Sequence, residues 1–285
     1  MPSVPDRLPV NVLNLMVFIS VLSVAAPVCA REGAWAESDY LRARIITAQE
    51  TAGHARTIDA GLEIEMQPGW HIYWRMPGDG GLPPSLGVGE SRNLKDIAIH
   101  WPAPVRFETD GLYGFGYKDA ALLPLTLTPE EPGNPLKLAL KADIMACNAI
   151  CVPQKFDLAL DLPAGEAGIN DAHDNMIKDA RKKLPFTENR PDMKIENVVT
   201  GPKAVVVRAF LSQGFDGADL FVEGPEYYVV APPVITPEEK DPRYATLVVN
   251  APEGIDNMAA AVMGKTLTLT LTNKKGQALE RSFDF

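Results

Sequence analysis

Polar and apolar positions alternate along most of this chain, with the period of a strand rather than that of a helix. Residues 42–49, 60–66, 97–101, 121–128 and 136–145 each place apolar side chains at every second position. That pattern belongs to strands with one buried face. Residues 70–76 form an aromatic strand that runs into the stiff loop Pro77-Gly78-Asp79-Gly80-Gly81-Leu82-Pro83-Pro84. Residues 107–117 are glycine-rich with interleaved aromatics, and 155–162 alternate again. Between the last two runs stand Cys147 and Cys151. The runs on either side predict a hairpin with the thiols facing each other across a short connection. Antiparallel neighbours have Cα atoms about 4.5–5.5 Å apart, inside the range that a disulfide spans. Several short strands at this spacing predict an antiparallel β-sandwich.

The pattern changes between residues 165 and 192. Residues 169–183 are charged and helix-permissive, and Pro185 stops them. We read 166–192 as a linker carrying a short helix. From Met193 strand signals return at 204–211, 218–222, 227–230, 245–249, 266–271 and 278–285, with Asn273-Lys274-Lys275-Gly276 as a hairpin turn. This predicts a second, smaller β-sandwich over 193–285 after a first domain over 31–165. The second has neither cysteine nor histidine, and reads as a structural or docking module.

The N-terminus reads as a signal peptide over residues 1–30. Arg7 precedes an apolar stretch at 12–26, and Val28-Cys29-Ala30 offers small residues for cleavage after Ala30. Val28 stands where a lipid-attachment motif on Cys29 would need Gly or Ala. The apolar run is short for a membrane span, and no other segment is apolar enough to serve. The expectation is an exported, periplasmic protein with no membrane insertion after cleavage, in a compartment that permits disulfides. The net charge of −10 argues against nucleic acid and anionic membranes as partners. The 25 prolines and 22 glycines favour turn-rich β structure over helical bundles.

Three chemistries are open to Cys147 and Cys151. A structural disulfide closing so small a loop contributes only about 2 kcal/mol in the chain-entropy model. A metal site would need more ligands, and His54, His71, His100 and His173 are not paired at ligand spacing. Met145 offers a soft donor for copper. The third is thiol–disulfide exchange through a mixed disulfide. No helix N-terminus is evident to lower a thiol pKa, no histidine is close in sequence, and Asp143 or Asp157, if near, would raise one. Spacing alone does not decide among the three.

The surroundings add a resemblance. Trp70 to Tyr73, the loop from Gly78 to Ser85, Trp101-Pro102-Ala103-Pro104, Gly114-Phe115-Gly116-Tyr117-Lys118-Asp119, Leu123-Pro124-Leu125 and Cys147-x-x-x-Cys151-Val152-Pro153 follow in that order. Together they resemble the N-terminal periplasmic domain of the thiol:disulfide interchange protein DsbD, and more closely its suppressor-of-copper-sensitivity (ScsB-like) branch. The resemblance covers roughly residues 42–162. It implies an all-β, immunoglobulin-like sandwich with a redox-active Cys147/Cys151 pair, Cys151 attacking and Cys147 resolving. It implies a cap loop at Asp110-Gly111-Leu112-Tyr113-Gly114. Leu112 stands where the family carries phenylalanine, so Tyr113 or Phe115 is expected to cap, with Tyr73 near the pair. It implies no cofactor. The implied partners are a separate membrane thiol-transporting reductase and periplasmic thioredoxin-like or disulfide isomerase proteins. The alternative is a non-catalytic module that binds copper or docks a partner, linked to copper tolerance or cytochrome maturation.

Overall fold

The structure is a computed structural model, and it describes residues 33–285 except 110, 167, 225–230 and 253. The expected signal peptide and the strand expected at 227–230 lie outside the described residues. In chain order the strands are β1 (Ala36–Glu37), β2 (Leu41–Thr47), β3 (Ile58–Met66), β4 (His71–Gly78), β5 (Ser85–Gly87), β6 (Leu94–Ile99), β7 (Val105–Thr109), β8 (Leu112–Lys118), β9 (Ala120–Pro129), β10 (Leu136–Cys147) and β11 (Cys151–Leu162). Helix α1 (Asp171–Arg181) follows. Then come β12 (Met193–Thr200), β13 (Ala204–Leu211), β14 (Asp219–Glu223), β15 (Val234–Pro237), β16 (Tyr244–Asn250), α2 (Met258–Val262), β17 (Thr266–Thr272) and β18 (Ala278–Asp284). The expected all-β architecture holds.

The first eleven strands make two sheets, ordered β1-β2-β3-β9-β6 and β11-β10-β4-β8-β7, with β5 also paired to β10. Their apolar faces enclose one core, in which Ile45, Leu62, Ile64, Leu123 and Leu125 meet Leu138, Leu140, Ile144 and Leu158. The alternation seen in the sequence is the cause, because every second side chain of a strand points to the same face. The last seven strands form two smaller sheets, β12-β13-β16-β15 and β14-β17-β18, around a separate core that includes Ile195, Val207, Leu220, Leu247 and Leu269.

Helix α1 begins at Asn170, whose side chain accepts from the backbone N–H groups of Ala172 and His173, satisfying donors that the first turn leaves open. It is not a free spacer. Ile177 is buried against Ile46 and Ala48, and Arg181 donates to Asp59 at 2.6 Å and to the Leu125 carbonyl at 3.0 Å. The helix is therefore anchored to the first sandwich. Strands β7 and β8 correct the reading of 107–117 as one segment: they are two strands of a hairpin, with Thr109 opposite Leu112.

The two sandwiches meet through opposite charges and aromatic rings. Arg75 of β4 pairs with Glu223 and Glu280. Burial alone would lower its pKa, yet the two carboxylates outweigh burial and hold the guanidinium above its ordinary value. Arg106 of β7 donates to both carboxylate oxygens of Asp219 at 2.8 and 3.0 Å and to the Leu220 carbonyl at 3.1 Å. Between these pairs Phe221 enters a pocket made by Trp74, Met76 and Phe115.

Candidate functional site

Strands β10 and β11 pair along their full length, from Leu136 opposite Leu162 to Cys147 opposite Cys151. Their even-numbered residues fill the core, so the odd-numbered ones face outward. Cys147 and Cys151, both odd, emerge on the outer face at the hairpin's end and close a disulfide with a Cα–Cα distance of 4.1 Å. The connection Asn148-Ala149-Ile150 is exposed, held by the Asn148 N–H donating to the Ile150 carbonyl at 2.9 Å. Farther down the same outer face Asp143 and Asp157 stand opposite Lys155 and Lys141 and pair with them. Each carboxylate expected to act on the thiols is thus countered by a lysine.

The cysteines are unequal. Cys147 is 1% exposed, whereas Cys151 is open to solvent. Tyr73 of β4 donates its hydroxyl to Cys147 Sγ at 3.2 Å, and the same oxygen lies 3.6 Å from Cys151 Sγ. Burial raises the Tyr73 pKa, so the phenol keeps its proton at neutral pH. His71, two residues earlier and on the same face of β4, is the register partner of Cys147. Its ring lies 4.1 Å from that of Phe107 and 5.5 Å from that of Tyr73. Burial, and then the charge of Lys118, lower its pKa.

These groups form the floor of a cleft of about 240 Å³, walled by Gly80, Gly81, Phe107, Leu112, Gly114 and the turn between the cysteines. Among the described residues no Lys, Arg, Asp or Glu lines it. Leu112 and Ile150, each exposed by more than half, give it an apolar mouth. Two glycines make the walls fit. Gly81 has φ +87°, and a Cβ there would stand 2.1 Å from Tyr73 Cε2; a Cβ at Gly114 would stand 2.1 Å from Phe107 Cε2. The glycine loop is fastened to the β7–β8 hairpin twice: the Asp79 N–H donates to the Tyr113 carbonyl at 2.8 Å, and the Tyr113 N–H donates to Asp79 Oδ2 at 2.7 Å.

The structure thus gathers Cys147, Cys151 and Tyr73, and sets Leu112 at the rim. Tyr113 borders the cleft but packs against the cluster of Trp74, Met76, Phe115 and Phe221. The expectation that Phe115 lies near the cysteines is corrected. On β8 it is Gly114 that faces Phe107 over the cleft, so Phe115 points the opposite way and is fully buried toward the second sandwich. Asp110 lies outside the described residues. The aromatic beside the disulfide is instead Phe107, which the sequence reading missed. The Asp110-Gly111 dipeptide is a hairpin signal that would have split the segment and put Phe107 opposite Gly114. His71 was missed because it is remote from the cysteines in sequence.

Among the described residues no group of three or more His, Cys, Asp or Glu side chains is placed to hold a metal ion. None of the described helices is long and apolar enough to cross a membrane.

Residues 42–163 match the family model for the thiol:disulfide interchange protein DsbD, N-terminal. This segment is similar to the DsbD N-terminal domain. The crystal structure of the N-terminal periplasmic domain of ScsB from Proteus mirabilis matches with a TM-score of 0.70 and 21% identity, over 89% of this chain and 98% of that one. At that identity the likeness is one of fold, and its coverage extends it beyond the DsbD segment. A marsupial T cell receptor aligns over 87% of this chain and 98% of its own at 8% identity, but its TM-score of 0.22 carries no weight. No curated protein matches the sequence. The match to the DsbD model and the closed disulfide at the cleft support thiol–disulfide exchange as the chemistry of this site.

Proposed function

We propose that the protein is an exported carrier of reducing equivalents, which cycles Cys147 and Cys151 between disulfide and dithiol. A separate membrane thiol reductase supplies electrons, and periplasmic thioredoxin-like or disulfide isomerase proteins receive them. The observation that carries this reading is the inequality of the two sulfurs. A donor thiolate reaches the exposed Cys151, and the buried Cys147 leaves as a thiolate beneath the Tyr73 hydroxyl. In the reverse half-cycle Cys151 attacks a client disulfide, and Cys147 then displaces the reduced client. The DsbD family and its ScsB-like fold support the same cycle.

The test is capture. Cys147→Ala, lacking the resolving thiol, is expected to accumulate mixed disulfides through Cys151, while Cys151→Ala accumulates few. If neither variant traps a protein in the periplasm, the carrier reading fails.

A second reading has one observation behind it. Met145 packs against the cluster of Tyr73, Phe107 and Cys147, so the reduced pair has a soft thioether nearby. A copper-holding module would then bind Cu(I) in a one-to-one complex when reduced. Titration without stoichiometric binding dismisses it.

A further inference from the structure

We propose that His71 is the general base of the resolving step, taking the proton from the Cys147 thiol as that sulfur attacks the mixed disulfide on Cys151. The proposal rests on the carrier reading above, with Cys151 as the attacking and Cys147 as the resolving thiol.

A buried thiol poses a problem that an exposed one does not. The nucleophile in exchange is the thiolate, and burial disfavours the charged form. Cys147 therefore needs a proton acceptor within the cleft. Tyr73 cannot serve, because its hydroxyl already donates to this sulfur and burial keeps it protonated. Among the described residues the cleft lining holds no carboxylate. Among the described residues of the lining, His71 is the side chain able to accept a proton at neutral pH.

Its placement suits the task. His71 stands directly across the strand pair from Cys147, and partners in such a register have Cβ atoms about 4.5–5.5 Å apart on one face. That is within reach of the sulfur directly or through one water. The ring is held in place by Phe107 at 4.1 Å and Tyr73 at 5.5 Å. The groups around it are Tyr73 on its own strand, Cys147 on β10 and Lys118 opposite it on β8. Glu108 and Asp119 border the second cleft that His71 also lines. Burial and Lys118 keep the imidazole unprotonated near neutral pH, the form a base requires.

The step balances. The Cys147 S–H bond breaks and its proton passes to an imidazole nitrogen. The Cys147–Cys151 bond forms as the bond from Cys151 to the client sulfur breaks. The client leaves as a thiolate, reduced by the two electrons that the dithiol has lost.

The experiment uses reduced full-length chain carrying Cys29→Ala, so that only the pair bears thiols, mixed with one equivalent of 5,5′-dithiobis(2-nitrobenzoate). Attack by Cys151 releases one thionitrobenzoate, and resolution by Cys147 releases the second. In His71→Gln the first release is expected to stay within about twofold of the parent. The second is expected to slow about tenfold or more at pH 7 and to converge with the parent near pH 9, where thiolate forms without a base. An unchanged second release at pH 7, or an equal slowing at every pH, overturns the role of His71. If Cys147→Ala gives no first release while Cys151→Ala does, the order of the cysteines fails instead. His71→Asn carries the same test if Gln perturbs folding.

Discussion

Tyr73 and Trp74 follow one another on β4 and face different halves of the molecule. The Tyr73 hydroxyl lies 3.2 Å from Cys147 Sγ, whereas the Trp74 ring meets Phe221 of the second sandwich at 5.9 Å between centroids. Strand β7 repeats the division, with Phe107 beside the disulfide and Arg106 bound to Asp219. The strands that wall the cleft thus have their reverse sides fixed to the second sandwich. This gives that sandwich a physical connection to the site despite its lack of reactive side chains.

The Tyr73 hydroxyl is a donor to the sulfur that leaves when the disulfide opens. Tyr73→Phe removes that donor and keeps the ring, so the reduced form loses more than the oxidised one. A net hydrogen bond contributes about 1 kcal/mol, which for a two-electron couple is about 20 mV. The reduction potential is expected to become more negative by that amount in a glutathione redox titration. A potential that stays put or rises would show that the hydroxyl does not favour the open form.

Gly80 and Gly81 are neighbours in the same loop but not equivalent. A Cβ at Gly80 meets nothing within 4 Å, whereas one at Gly81 strikes the Tyr73 ring from a backbone with φ +87°. Gly81→Ala is expected to cost about 1–3 kcal/mol by overpacking and backbone strain and to speed alkylation of the reduced cysteines by dislodging Tyr73. Gly80→Ala is expected to match the parent in both. Denaturant midpoints and alkylation rates measured side by side decide it, and equal behaviour of the two variants would mean the loop does not hold the ring.

What the sequence made legible was local. Alternation gave the β10 and β11 runs, and with them the outward pairing of Cys147 and Cys151, because a hairpin's register follows from its own residues. The ordered motifs gave the family and, through it, Tyr73. What stayed hidden depended on pairing between distant segments. His71 reaches Cys147 only because β4 lies next to β10 at that end of the sheet, and no spacing in the chain records that neighbour. Phe115 was misassigned because the missed hairpin, with Thr109 opposite Leu112, hides which residues of 107–117 share a face. The joint between the sandwiches was invisible for the same reason: Arg75 and Arg106 read as ordinary strand charges until Asp219, Glu223 and Glu280 are brought to them.

That joint differs in kind from the surface ion pairs. The Arg106 side chain is 8% exposed and Asp219 21%, so Asp219→Ala takes the counter-charge from a buried guanidinium. Breaking a buried pair costs about 3–5 kcal/mol, and the residual exposure of Asp219 places it near 3. Phe221→Ala, which empties a fully buried aromatic site, is expected to cost about 3–5 kcal/mol. Lys141→Ala removes a pair whose partners are 70% and 82% exposed, and solvent screening leaves no measurable change. Denaturant unfolding of the three variants tests the ranking. If Asp219→Ala is as stable as Lys141→Ala, the sandwiches are not joined through Arg106.

The last prediction follows from His71 being held below its ordinary pKa by burial and Lys118. The unfolded chain, with an ordinary imidazole near about 6.5, binds this proton more readily than the folded one. Stability therefore rises with pH wherever the two states differ in bound protons. The contribution of neutral His71 is complete above about 6.5 and is lost as pH falls toward and through the lower folded value. Carboxylates also weaken the fold in acid, so the informative quantity is the difference between parent and His71→Gln. Thermal midpoints between pH 7.5 and pH 5 are expected to fall less steeply in the variant, whose side chain does not titrate. Parallel curves would show that the folded protein accepts a proton on His71 as easily as the unfolded chain does, and the imidazole would then not be held neutral beside Cys147.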